Sequence, residues 1–308
     1  MSDTIILHHY PQSPFSEKVR VAFGIKGISW ASVHIPTMMP KPLLMPLTGG
    51  YRKTPVMQIG ADIYCDTQII LREIERRHPA PPLFRGKGTG FMTALWSDRA
   101  FFPATIPLIF GEVGDFLPKE FAADRAKLMP DRPFDTQAMR AVMPQFRDQW
   151  RAHAGLIADQ LSDGRAFLSG DAPDVTDIHA HMNVWFLKGA VAASAEKLLK
   201  EFPAVDAWFA RVTTLGHGTS SRMTGEEALA IAKAATSTTK EAADPHDPNG
   251  LKPGMRVSVT PDDYGRDPVT GVVVSSSAQH IAILRNAPET GDVVVHFPRI
   301  GFVVKRVD

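Results

Sequence analysis

Gly49-Gly50-Tyr51-Arg52-Lys53-Thr54-Pro55-Val56-Met57-Gln58-Ile59-Gly60-Ala61-Asp62-Ile63-Tyr64-Cys65-Asp66-Thr67, running on to Arg72, is the stretch around which this chain is organised. It reads as loop, strand, two-residue turn, strand and helix. Val56 to Ile59 is a short apolar strand, Ala61-Asp62 after Gly60 is the expected hairpin turn, and Ile63 to Cys65 is the return strand. Asp66 is placed as the cap of a helix whose Ile69, Ile70 and Ile74 share an apolar face. Pro55 stands at the mouth of a strand, where its missing N–H costs no ladder bond, and it is a candidate for a cis peptide bond. Asp66-Thr67 sets a carboxylate and a hydroxyl on a helix N-terminus. The free backbone N–H groups there suit a carboxylate, and Asp66 suits an ammonium. The pair therefore suits a zwitterionic amino-acid head at one end of an extended peptide.

Upstream, Thr4 to His8 reads as a buried strand. In Tyr10-Pro11-Gln12-Ser13-Pro14-Phe15, Ser13 is a helix N-cap candidate and Pro14 fits the first helical position. Phe15, Val19, Ala22 and Phe23 share one face of that helix, Gly27 ends it, and Trp30 to His34 is the next strand. The order β-α-β then β-β-α is thioredoxin-like, with a mixed sheet.

Residues 4 to 84 as a whole resemble the N-terminal domain of cytosolic glutathione transferases, in particular serine-type, bacterial-like members. In that family a cis-proline aligns its neighbour's backbone with the cysteinyl part of glutathione, which assigns that role to Pro55 and Val56, with Thr54 beside them. An acidic-hydroxyl pair, commonly Glu-Ser, holds the γ-glutamyl group, and here that pair is Asp66-Thr67. The resemblance makes Ser13, before Pro14-Phe15, the residue that donates a hydrogen bond to the glutathione sulfur. A free thiol has a pKa of about 8.5, so a hydroxyl hydrogen bond plus a helix N-terminus raises the thiolate fraction. Cysteine-type members carry a redox cysteine at this place, so the serine argues against disulfide exchange. The plain alternative for Ser13 is an ordinary helix cap. Ser16, Tyr10 and His9 are alternative donors to the sulfur. Among the cations Lys41, Arg52 and Lys53, the resemblance favours Lys53 for the glycine carboxylate of glutathione, against a plain reading as solvated loop charge. Cys65 reads as a small buried residue.

The totals exclude several classes. Lys and Arg number 34 against 33 Asp and Glu, a formal charge of +1, which offers no electrostatic case for nucleic acid or a membrane surface. One cysteine excludes an internal disulfide framework and a CxxC pair. No apolar run has the length of a membrane span, and Met1-Ser2-Asp3-Thr4 is not a signal peptide, so a cytoplasmic location is expected. His179 and His181 point apart on a helix, as do His8 and His9 across a strand, so no metal site is expected.

After the proline-rich stretch Arg76 to Phe84 the period becomes helical. A helix over Met92 to Phe102 is expected to break at Pro103, with a second over Ala104 to Phe116 and a long one over Ala138 to Leu161. Asp174 and Asp177 have capping-box spacing, resembling the family's buried box. By the same resemblance Tyr10, Trp96, Arg99 and Phe102 are candidates for a second-substrate pocket for a small electrophile, against a plain reading as helical core. A polar linker from Thr236 to Gly250 precedes five short strands, which suggest a small SH3-like barrel.

The expected architecture is thus an α/β thioredoxin-like domain (1–84), an all-α domain (88–240) and a small all-β barrel (250–308). The expected function is a glutathione-transferase-like enzyme with glutathione as co-substrate, a homodimer by resemblance. The alternative is a non-catalytic binding or scaffold protein of the same fold.

Overall fold

The structure is a computed structural model in which residues 4–129, 131 and 134–307 are described. β1 (Ile6–His9), α1 (Pro14–Lys26) and β2 (Ser29–His34) form a first βαβ unit. A short helix α2 (Met45–Thr48) follows, then β3 (Val56–Ile59), β4 (Asp62–Cys65) and α3 (Thr67–Arg77). β1 pairs parallel to β2 and antiparallel to β3, which pairs antiparallel to β4, the expected mixed sheet. The hairpin turn lies one residue earlier than expected. Ile59 faces Asp62 across Gly60-Ala61, because Gly60 supplies the positive φ of 58° that the turn needs.

Period-two alternation buries both faces of this sheet. Leu7, Met57 and Tyr64 join one cluster with Val19, Phe23 and Ile70 from α1 and α3. Ile6, Val33, Val56, Ile63 and Cys65 join another on the opposite face.

The helical part comprises α4 (Thr89–Trp96), α5 (Phe102–Val113), α6 (Lys119–Leu128), α7 (Thr136–Ala141), α8 (Met143–Gln160), α9 (Val175–Ala190), α10 (Ala192–Leu199) and α11 (Pro203–Thr213). Two expectations fail here. The chain does not break at Pro103. A π-helical turn at Ser97–Phe101 carries α4 straight into α5, with Pro103 in the first turn, where its missing N–H is tolerated. Conversely, the long helix over 138–161 is two helices. Val142 leaves helical geometry at φ −97°, ψ 1°, and Pro144 starts a new first turn in α8. The capping box is present. Asp174 accepts from Thr176 N at 2.8 Å, Asp177 accepts from Asp174 N at 3.0 Å, and Asp177 also takes the indole N–H of Trp208 at 2.8 Å.

Beyond α11 the chain returns to the sheet. β5 (Thr219–Arg222) adds parallel to β2, and α12 (Gly225–Ala234) buries Ala228 and Ala232 in the second cluster. Five strands follow: β6 (Arg256–Pro261), β7 (Val269–Ser276), β8 (His280–Ala287), β9 (Gly291–Pro298) and β10 (Phe302–Arg306). They do not stand apart as the expected all-β barrel. β9 pairs parallel to β4, so a ten-stranded mixed sheet runs β10-β6-β7-β8-β9-β4-β3-β1-β2-β5. The reason lies at Asp62, the first residue of β4. Its buried carboxylate accepts from His296 Nε2 at 3.1 Å, Ser237 Oγ at 2.5 Å, Thr238 N at 3.0 Å and Thr239 Oγ1 at 2.8 Å. Burial works against its charge, yet these donors hold Asp62 well below the usual carboxylate range. The polar stretch expected to be a linker is thereby fastened to the sheet.

Burial also keeps several histidines neutral, His8 and His181 at about 4, His9 and His280 at about 3. An unfolded histidine titrates near 6.5, so the unfolded chain takes up protons first as pH falls. Their contribution is full above pH 6.5 and is lost as pH falls from there towards 3. Urea midpoints measured between those limits are expected to decline steadily. His181→Phe is expected to flatten that decline by about 1–3 kcal/mol.

Candidate functional site

Six chain segments meet at one cleft. The loop before β3 brings Tyr51, Lys53, Thr54 and Pro55; the N-terminus of α3 brings Asp66, Thr67 and Gln68; the π-helical turn brings Asp98 and Arg99, with Phe102 after it. The loops after β6 and β9 bring Asp263, Tyr264, Gly301 and Phe302. Phe15 of α1 closes the base, its ring 4.9 Å from that of Phe102.

The Thr54–Pro55 peptide is cis. Val56, the next residue, begins β3 and faces His8 of β1 and Cys65 of β4, so it lies inside the sheet and not on an edge. Asp66 caps α3, its carboxylate accepting Gln68 N at 2.9 Å, with φ 87° and ψ 140°. That backbone geometry is nearly confined to glycine and costs about 1–3 kcal/mol in other residues. Burial pushes the Asp66 carboxyl up, opposed by the Gln68 N–H and by Lys53. Asp98 is likewise pushed up by burial and opposed by its ion pair with the fully buried Lys18. Ser97, beside it, is pinned by donating to His179 O at 2.5 Å, which fixes the π-helical turn that aims Asp98 and Arg99.

The three candidate cations are all engaged. Lys41 is buried and donates to Arg52 O at 2.9 Å and Thr54 Oγ1 at 3.2 Å, and burial lowers it to about 8. Arg52 pairs with Asp124 at 2.5 Å. Lys53 pairs with Asp263, its ammonium 4.2 Å from the centre of the Tyr264 ring. Arg99 pairs with Asp262 at 2.6 Å.

Of the residues singled out from the sequence, Lys53, Thr54, Pro55, Asp66, Thr67, Arg99 and Phe102 meet at the cleft. Ser13 does not line it. It caps α1, accepting Ser16 N at 3.1 Å, and is 2% exposed. Tyr10 is not part of the cleft wall, and burial pushes its phenol up. Trp96 turns away into the helices, donating to His153 Nδ1 at 3.0 Å. The sequence reading missed Tyr51, Gln68 and Asp98, and the whole contribution of Asp263, Tyr264, Gly301 and Phe302. No local signal marks those last four, which reach the cleft only through the pairing of β9 with β4. The space left among these walls is about 60 Å³, room for one or two waters at about 30 Å³ each.

Residues 7–82 match the glutathione S-transferase N-terminal domain family, and residues 102–219 match a domain of unknown function. A GST-like protein from Pseudomonas syringae is 35% identical, covers 99% of this chain and 100% of its own, and superposes with a TM-score of 0.81. The chain belongs to this GST-like family. A glutathione S-transferase from Rhodospirillum rubrum F11 shares the fold at 23% identity and TM-score 0.52, over 68% of this chain and 88% of that one. The FtsZ-localized protein A of Caulobacter vibrioides is 26% identical over 223 residues, 69% of this chain and 88% of that protein.

Asp66→Gly relieves the backbone strain at the cost of a cap, worth only a few tenths of a kcal/mol on replacement by glycine, and of added chain entropy. Urea unfolding is expected to show a gain in stability of about 1 kcal/mol; a loss of that size would place no strain at Asp66.

Proposed function

We propose that the protein binds glutathione in this cleft and serves first as a binding protein of the GST fold. The observation that carries this reading is the meeting of Lys53, Thr54 and Pro55 with Asp66 and Thr67 at one cavity, which brings a cation, the backbone beside a cis-proline and an acid-hydroxyl pair together. In this reading Asp66 and Thr67 take the γ-glutamyl head at the α3 N-terminus, Thr54 and Pro55 align the cysteinyl backbone, and Lys53 takes the glycine carboxylate. Binding ranks before turnover because Ser13 is spent on capping α1 and does not face the cavity.

A second reading is full transferase catalysis, with Ser13 holding the thiolate and a small electrophile entering beside Arg99 and Phe102. It is favoured by the lining of the cleft by those two residues. In either reading the homodimer of the family is part of the proposal, supported by exposed Met92 and Phe116, 68% and 85% accessible.

Retention on glutathione-agarose and conjugation of an aryl chloride electrophile separate the readings. Binding predicts retention with turnover near background. It also predicts that Ser13→Ala loses about 1 kcal/mol of stability through the cap while affinity stays within about twofold. Robust turnover abolished by Ser13→Ala would establish catalysis instead. Absence of retention in every form would remove glutathione from the account.

A further inference from the structure

We propose that the loop Asp262–Tyr264, between β6 and β7, is a built-in occupant of the tripeptide cleft, and that a γ-glutamyl peptide enters by displacing it. This inference rests on the reading of the cleft as a tripeptide site. Lys53, the group assigned to the ligand's terminal carboxylate, already holds the carboxylate of Asp263 and carries the Tyr264 ring 4.2 Å away. Arg99, across the cleft, already holds Asp262 at 2.6 Å. Asp263 thus sits where the terminal carboxylate of the ligand is expected, and Asp262 secures the same loop across the cleft. The space it leaves, about 60 Å³, is far below the roughly 300 Å³ at which ligand pockets begin.

The loop is built to leave. β6 and β7 last pair at Val259 and Val269, and the β6–β10 ladder ends at Pro261. Between Pro261 and Val269 the backbone is anchored by Asp262 N to Gly301 O at 2.9 Å and Gly265 N to Leu128 O at 2.7 Å. The remaining ion pairs, Asp262 with Arg99 and Arg266 with Asp131, are exposed on both sides, and such pairs hold weakly. Gly265 sits at φ +58°, a left-handed conformation that strains any residue with a Cβ, and an added methyl group would also meet Leu128 Cδ1 at 2.9 Å, so Gly265→Ala destabilises the seated loop.

A self-occupied site reduces apparent affinity by the fraction of molecules that are open. The test is calorimetric titration of the full chain with glutathione, for wild type, Asp263→Asn and Gly265→Ala. Amide hydrogen exchange of residues 262–266 is followed with and without glutathione. The expected result is binding about tenfold tighter in both variants, and faster exchange of the loop when glutathione is added to wild type. Asp263→Asn is isosteric and changes charge alone, so it keeps the test valid if Gly265→Ala is poorly folded. Equal affinity in all three with loop exchange unmoved by ligand overturns the plug and leaves the cleft reading standing. Weaker binding in the variants also overturns it, by making the loop a ligand-holding wall. No binding in any form, with the loop already exchanging freely in the variants, removes the tripeptide reading and this inference with it.

Discussion

The arrangement depends on what happens at the outer edge of β4. A strand with one side unpaired invites further pairing, and here β9 supplies it, parallel, through Asp62, Ile63 and Tyr64 opposite Val294, Val295 and His296. The Asp62 carboxylate fixes that pairing because one buried acid satisfies donors from His296 and three successive residues of the 237–239 segment. Leaving such donors unpaired costs about 1–3 kcal/mol each, so the acid and its partners stand or fall together. The flat stacking of His296 on Tyr64, 4.4 Å between centres, extends the contact onto the opposite side chain of the same strand. With β9 in place, the turns before β7 and after β9 project over the mouth of β3. The same junction that finishes the sheet therefore finishes the cleft.

The helical part contributes in a different way. Its interior is held by buried polar anchors as much as by apolar packing. Asp177 gathers Leu168 N and Trp208 Nε1, and Ser97 and Asn183 interlock at 3.0 Å. The second of these lies at the π-helical turn, where the extra residue rotates Asp98 and Arg99 relative to a continuous α-helix. The charged pair Lys18–Asp98 then ties α1 to the same turn. The cleft thus has one wall fixed by the sheet and one by a deviation in a helix, both specified by buried hydrogen bonds.

Much of the N-terminal architecture was legible because its signals are local. Pro55 before an apolar strand, Asp66 before an isoleucine-rich helix, and Ser13-Pro14 at a helix start each act within a few residues. The serine cap and the catalytic serine use the same residue type in the same place, so Ser13 carried both meanings until its orientation was known. Helix boundaries at Pro103 and Pro144 went wrong in opposite senses, since a proline is compatible with the first turn of a helix and local sequence does not say which turn it occupies. β5 escaped notice because Thr219-Ser220-Ser221-Arg222 is polar and exposed, pairing by backbone alone with β2. The five C-terminal strands were visible as strands, but their partner was not. Register between β9 and β4 joins residues more than two hundred positions apart, and only the closed arrangement reveals that Asp262, Asp263 and Tyr264 come to rest beside Lys53 and Arg99.

Cys65 lies at the inner end of β4, wholly shielded, with its thiol pushed up by burial and the Arg285 guanidinium among its neighbours. It is the only sulfhydryl in the chain. A thiol so enclosed reacts with an alkylating reagent only while the strands around it are apart. The molecule therefore carries its own clock for the opening of the core around β3 and β4, readable from the rate at which a single side chain takes up label.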